Sequence, residues 1–135
     1  MKKILIILGS VLLSFLMYLA FWFYSAADTK NVILSGYIFD KETNKPIQNA
    51  EIKIENYRYE SDNGIYNYDE YLGKDEYELK SDSKGFYEVT INKSAFIVIE
   101  IDKLGYKPKI ESDYSSKYVS FKTSLEKTNY FSLIT

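Results

Sequence analysis

Two hydrophobic patterns divide the chain. From Ile4 to Tyr24 no residue is charged, and the run has no polar stripe. As a helix rising 1.5 Å per residue, this run spans about 31 Å, the thickness of a bilayer's hydrocarbon core. Lys2 and Lys3 precede it, and Phe21, Trp22, Phe23 and Tyr24 close it where an interfacial aromatic belt sits. From Val32 onward the period drops to two, the signature of strands with one buried face. Strand expectations are Val32–Phe39, Ala50–Tyr57, Glu76–Ser81, Phe86–Ile91, Ala95–Asp102, Lys117–Leu125 and Asn129–Ile134. Ala50, Ile52 and Ile54 alternate with Glu51, Lys53 and Glu55; Leu34, Gly36 and Ile38 alternate with Ser35 and Tyr37. Ala95–Asp102 is apolar on both faces through Ile99, which predicts a central strand.

Turn chemistry punctuates these strands. The polar connection Asp40–Pro46 offers Asp40 as an acceptor for its own downstream amides and Asn44 for a left-handed conformation. Asp82-Ser83-Lys84-Gly85 reads as a tight turn with positive φ at Gly85. Asp62-Asn63-Gly64, Leu72-Gly73-Lys74 and Asn92-Lys93-Ser94 also read as turns, the last being a formal N-glycosylation acceptor. Lys107-Pro108 ends a pairing, and Glu111–Ser116 is expected as a polar loop. The chain thus divides into an anchor, 1–27, and a β domain, 28–135, interrupted by a Tyr- and acid-rich insertion at 57–77.

Composition narrows the chemistry. There is no Cys, so no disulfide, no thiol nucleophile and no acylated lipoprotein terminus is available. There is no His, which removes the commonest general base and metal ligand. A net charge of −2 gives no basis for nucleic-acid binding. Tyrosine is abundant, at 14 residues, which favours strands. Lys2 and Lys3 place the charged end in the cytoplasm and residues 28–135 outside it. Ser25-Ala26-Ala27 offers small residues for signal cleavage, which would release the domain as a secreted protein near Ala27. The run is longer than a usual signal core, so the reading adopted is an uncleaved anchor embedded in lipid through residues 4–24.

Gly36, Ile38, Asp40, Pro46, Ile47, Ala50, Ile52 and Ile54, followed by Ser81-Asp82, Gly85 and Tyr87, and then by Gly105-Tyr106, resemble the motifs of the carboxypeptidase regulatory-like domain. In that family Thr stands where Ser81 is, and Phe where Tyr87 is. The resemblance covers residues 32–108 well and the last 27 weakly. It implies an all-β fold, a seven-stranded transthyretin-like (prealbumin-like) β-sandwich behind one transmembrane helix. Gly36, Asp40, Pro46, Ala50, Asp82, Gly85, Gly105 and Tyr106 would be its structural motif residues. The resemblance also implies a non-catalytic module in an exported protein. The family's best-known members adjoin a zinc carboxypeptidase domain, whose His and Glu ligands are absent here. Intradiol dioxygenases share a related sandwich but hold iron through Tyr and His, and this chain has no His.

The candidate binding residues lie in the insertion. Tyr57, Tyr59, Tyr66, Tyr68 and Tyr71 offer flat apolar faces with polar tips, suited to a protein partner or a glycan. The plainer reading packs alternate tyrosines against the domain's edge. Arg58 invites a cation over a neighbouring ring, against the plainer reading of an exposed charge. Asp62, Asn63, Asp69, Glu70 and Asp75 are oxygen ligands of the kind calcium takes, but they lack the every-second-residue spacing of an EF-hand loop. No metal site, cofactor or catalytic residue is therefore assigned. The expected function is a membrane-tethered extracytoplasmic module for protein interaction or adhesion, with an exported carbohydrate-binding module as the alternative.

Overall fold

A computed structural model describes residues 1–25, 27–67 and 70–128. Helix α1 (Lys2–Ser25) leads into seven strands: β1 (Thr29–Asp40), β2 (Glu51–Arg58), β3 (Gly73–Lys80), β4 (Phe86–Ser94), β5 (Phe96–Asp102), β6 (Lys109–Tyr114) and β7 (Tyr118–Leu125). Residues Lys2–Phe23 of α1 are long and apolar enough to cross a membrane, and none of that span is buried against the domain. Ser10 and Ser14 are satisfied within the helix. Ser10 Oγ donates to the Ile7 carbonyl at 2.8 Å and Ser14 Oγ to the Ser10 carbonyl at 2.9 Å, as hydrocarbon requires of any polar group.

The strands form two sheets, ordered β4-β1-β7 and β3-β2-β5-β6. All named neighbours are antiparallel except β1 and β7, which run parallel with Leu34 opposite Val119. The alternation sets the register of the core. Val32, Leu34 and Ile38 of β1, Ile91 of β4, and Val119 and Leu125 of β7 cluster with Ile52 and Ile54 of β2 and Ile97, Ile99 and Ile101 of β5. One core therefore serves both sheets. As expected, β5 is central, lying between β2 and β6.

Several of the residues singled out for the resemblance hold turns or close contacts. A Cβ on Gly36 would overlap the ring of its cross-strand partner Tyr87, which lies over the bare backbone. Gly85 has φ +71°, and a Cβ there would strike the Ile38 carbonyl oxygen. Asp82 closes this turn by accepting the amides of Lys84 at 2.8 Å and Phe86 at 2.9 Å. Asp40 does the same for Glu42 at 2.8 Å and Thr43 at 3.1 Å, and Asn44 is left-handed with φ 57°. Tyr106 reaches across to donate its hydroxyl to Asp40 at 2.7 Å, so two separate motifs meet in one bond. Ser81 Oγ accepts the Ala50 amide and donates to the Ile47 carbonyl, at 2.9 and 2.7 Å, which a threonine hydroxyl would also do.

The structure corrects several boundaries. Glu111–Ser116 is not simply a loop: β6 occupies Lys109–Tyr114 at a sheet edge. Its backbone pairs with β5 although only Glu111 turns inward, to accept the Thr123 hydroxyl at 2.7 Å. Asn92-Lys93-Ser94 is not a turn, because β4 continues to a fully buried Ser94, hydrogen-bonded to the Ser115 hydroxyl. Gly73 is not a turn residue but the first of β3, where a Cβ would meet the Glu60 carbonyl and the Arg58 guanidinium. The excursion between β2 and β3 shrinks accordingly to residues 59–72, crossed by one bridge between Glu60 and Tyr66. The strand expected at Asn129–Ile134 lies outside the described residues.

Candidate binding surface

The outward face of the β3-β2-β5-β6 sheet carries a row of rings at the end where α1 joins. Tyr57, Phe96 and Tyr114 stand in register across β2, β5 and β6. Tyr71, from the excursion, lies over them. Its ring stacks on Phe96 at 6.1 Å and 14°, and sits 5.7 Å from Tyr57 and 5.3 Å from Tyr59. Phe96 meets Tyr114 edge-on at 5.2 Å. These are offset and edge geometries that aromatic quadrupoles favour. The row stays accessible: Tyr71 is 42% and Tyr114 71% exposed.

Carboxylates flank the row. Glu55, Glu76, Glu78 and Glu100, with Lys53, line a 350 Å³ depression floored by Val98 and Ile110. Glu55 accepts the Tyr57 hydroxyl at 2.7 Å, which holds its pKa below the usual carboxylate range and pushes the phenol's up. Lys74 lies 5.8 Å over the Tyr57 ring, so the cation on a ring in this segment is Lys74 rather than Arg58.

Arg58 follows Tyr57 and therefore points to the opposite face. It is neither an exposed charge nor a ring partner. Its guanidinium donates to both oxygens of Asp75 (2.8 and 3.2 Å), to Asp62 (2.7 Å) and to the Glu60 carbonyl (3.0 Å). These bonds, that to Asp62 foremost, push its pKa further up. Asp75 also accepts Asn56 Nδ2 at 3.0 Å. Two of the calcium candidates thus serve as counter-ions. Among the described residues, no group of three or more His, Cys, Asp or Glu is placed to hold a metal ion. Glu60 accepts Tyr66 at 2.9 Å and pairs with Lys93, the bond that most lowers its pKa. Buried Asp28 accepts the amides of Tyr59 (2.8 Å) and Glu60 (3.2 Å), fastening the start of the domain to the end of β2.

Of the tyrosines singled out in the sequence, the fold brings Tyr57, Tyr59 and Tyr71 together. Tyr66 is drawn towards Glu60, and Tyr68 lies outside the described residues. Phe96 and Tyr114 join the row unanticipated. Phe96 could have been found from the two-faced apolarity of its strand. Tyr114 carries no such signal, because Lys109–Tyr114 shows no alternation of apolar and polar residues.

No protein-family model matches the chain, and no curated protein matches it significantly. Solved structures do. The chain is similar to 3-chlorocatechol 1,2-dioxygenase from Rhodococcus opacus 1CP, with TM-score 0.54, 14% identity, and 75% of this chain on 61% of that one. It is also similar to catechol 1,2-dioxygenase from Acinetobacter sp. ADP1, with TM-score 0.56, 13% identity, and 74% on 53%. A third is the group B streptococcus pilus 2b backbone protein, with TM-score 0.52, 14% identity, and 76% on 43%. The chain thus spans between 43 and 61% of the length of these proteins. At such identities the likeness is one of fold alone.

Proposed function

We propose that the chain is a transthyretin-like β-sandwich held outside the cytoplasm by an uncleaved α1, serving as a non-catalytic module for protein interaction. The observation that carries this is the aromatic row Tyr59–Tyr71–Tyr57–Phe96–Tyr114, exposed at Tyr71 and Tyr114 and half-buried elsewhere, beside four carboxylates. Rings supply desolvated contact area, and the acidic rim steers and selects a basic partner segment. The absence of His and Cys from the sequence supports a binding rather than a catalytic role; the fold, shared with dioxygenases and with a pilus backbone protein, is compatible with either. The alternative, an exported sugar binder, draws on the same rings, since a stacked tyrosine also suits a pyranose face.

A photo-crosslinking residue at Tyr71 or Tyr114, in the full chain expressed in its host, tests the reading. Tyr37, 52% exposed on the other sheet, is the control position. Protein adducts at 71 and 114 but not at 37 are expected; equal labelling at all three overturns the surface assignment. Discrete positives on a glycan array, abolished by Tyr71→Ala, would instead favour the sugar reading.

A further inference from the structure

The two ends of the domain differ sharply in what they show to solvent. At the end that receives α1, Ile65, Tyr66, Leu72, Tyr114 and Tyr118 are 62, 43, 38, 71 and 65% exposed. In the turns at the opposite end, 41–50, 81–85 and 103–108, Leu104 is the one exposed large apolar side chain among the described residues. The pairing places the five together. Thr29 opens β1 opposite Ser94, the Ile33 amide donates to the Lys117 carbonyl, and Asp28 grips the amides that begin the 59–72 excursion. The tether is very short. Helix α1 ends at Ser25 and Asp28 is already fastened to the domain, so three Cα steps separate them, about 11 Å at full stretch.

We propose that this end of the domain rests on the headgroup layer of the bilayer that holds α1, with Ile65, Tyr66, Leu72 and Tyr118 at the interface. The proposal rests on α1 being an uncleaved membrane anchor. A tether this short keeps the end within reach of the headgroups whatever the domain's tilt. Tyrosine and aliphatic side chains at that depth exchange water for the acyl boundary while phenol hydroxyls stay in the polar layer. Charge at this end is mixed. Lys30, Arg58, Lys93 and Lys117 stand against Asp28, Glu60, Asp62, Glu70 and Asp113, with Arg58 paired to Asp62, Lys93 to Glu60, and the Lys117 ammonium 5.6 Å from the Tyr118 ring. This balance supplies no net positive charge, so the seat draws on its apolar side chains and needs no anionic lipid. It would hold the aromatic row upright beside the bilayer, facing partners in or near the membrane plane.

Because the chain has no Cys, single cysteines label cleanly. The full chain carrying Ile65→Cys, Tyr118→Cys or Leu104→Cys, each with an environment-sensitive fluorophore, is reconstituted into phosphatidylcholine vesicles containing a headgroup spin label. Quenching at 65 and 118 is expected to exceed that at 104 severalfold and to survive high salt. Adding Ile65→Ser and Leu72→Ser to the Tyr118→Cys chain should bring its quenching down towards that at 104. Equal quenching at 65, 118 and 104 overturns the seat. So does quenching at 118 that the serine pair leaves unchanged, since the tether alone would then explain it. In both cases the anchor reading survives if carbonate washing leaves the chain in the vesicles. Release of the chain by carbonate overturns the anchor and the seat together.

Discussion

Tyr87 offers a test of how this core is assembled. The residue is 3% exposed, and its hydroxyl has no hydrogen-bond partner. Burial pushes the phenol's pKa up, above the range in which tyrosine ordinarily ionises. The ring lies over Gly36, where a Cβ would overlap its Cε1, Cζ and Oη. An unpaired buried hydroxyl costs about 1–3 kcal/mol. Tyr87→Phe deletes it while keeping the ring, and restores the residue of the resembled motif. We expect it to raise stability by about 1 kcal/mol, the lower end of that range, since a local shift relieves part of the cost. For a domain of this size that is about 4–8 °C in Tm. Gly36→Ala should cost about 1–3 kcal/mol, because the ring must leave its place. In a Tyr87→Val background the three atoms nearest the added methyl are removed, and the same change should cost far less. Thermal melts of the full chain in detergent, followed by circular dichroism, give all four corners of the cycle. A loss above 1 kcal/mol in Tyr87→Phe would mean the hydroxyl is bonded in solution. Additivity of Gly36→Ala and Tyr87→Val would refute the close approach of ring and backbone.

Ile52→Asp should unfold the domain while Lys53→Asp changes Tm little. An unpaired carboxylate in the fully buried Ile52 position costs several kcal/mol, whereas residue 53 faces water; equal melts would invert the assigned strand phase. The Tyr106 hydroxyl, then the Thr43 amide, hold the Asp40 pKa at about 2, below the ordinary value of 3.8. The stability this provides is complete above pH 3.8 and is lost as pH falls from there towards 2. Asp40→Asn should flatten that part of the Tm–pH curve, and an unchanged slope would remove Asp40 from the account. Arg58→Lys should recover less than half of the Tm lost in Arg58→Ala, because an ammonium cannot span both oxygens of Asp75. Asp62→Ala should be nearly silent, since that carboxylate's side chain is 85% exposed. A soluble chain starting at Asp28 should melt cooperatively with a β-type spectrum, since every strand follows that residue; a helical or gradual melt would count against an independent domain.

What the sequence by itself determined is local and periodic. The uncharged run fixed α1, because twenty-odd apolar residues leave a helix no polar face to turn to water. Alternation of period two fixed the inward faces of β1, β2, β4 and β7; in β2 a one-residue slip would bury Glu51, Lys53 and Glu55 in place of Ile52 and Ile54. Asp40, Asn44, Asp82 and Gly85 announced their turns through side-chain acceptors and a positive φ. Tertiary structure decided whatever depends on a distant partner. Edge strand β6 carries almost no inward hydrophobic side chain, so only its backbone pairing with β5 reveals it. Arg58 stands between two tyrosines in the sequence, but the pleat turns it from them towards Asp75, seventeen residues away. The aromatic row needs Tyr57, Tyr71, Phe96 and Tyr114 from four separate segments. Hydrogen bonds between strands set Tyr57, Phe96 and Tyr114 in register, Tyr71 folds over them from the excursion, and no spacing along the chain encodes either.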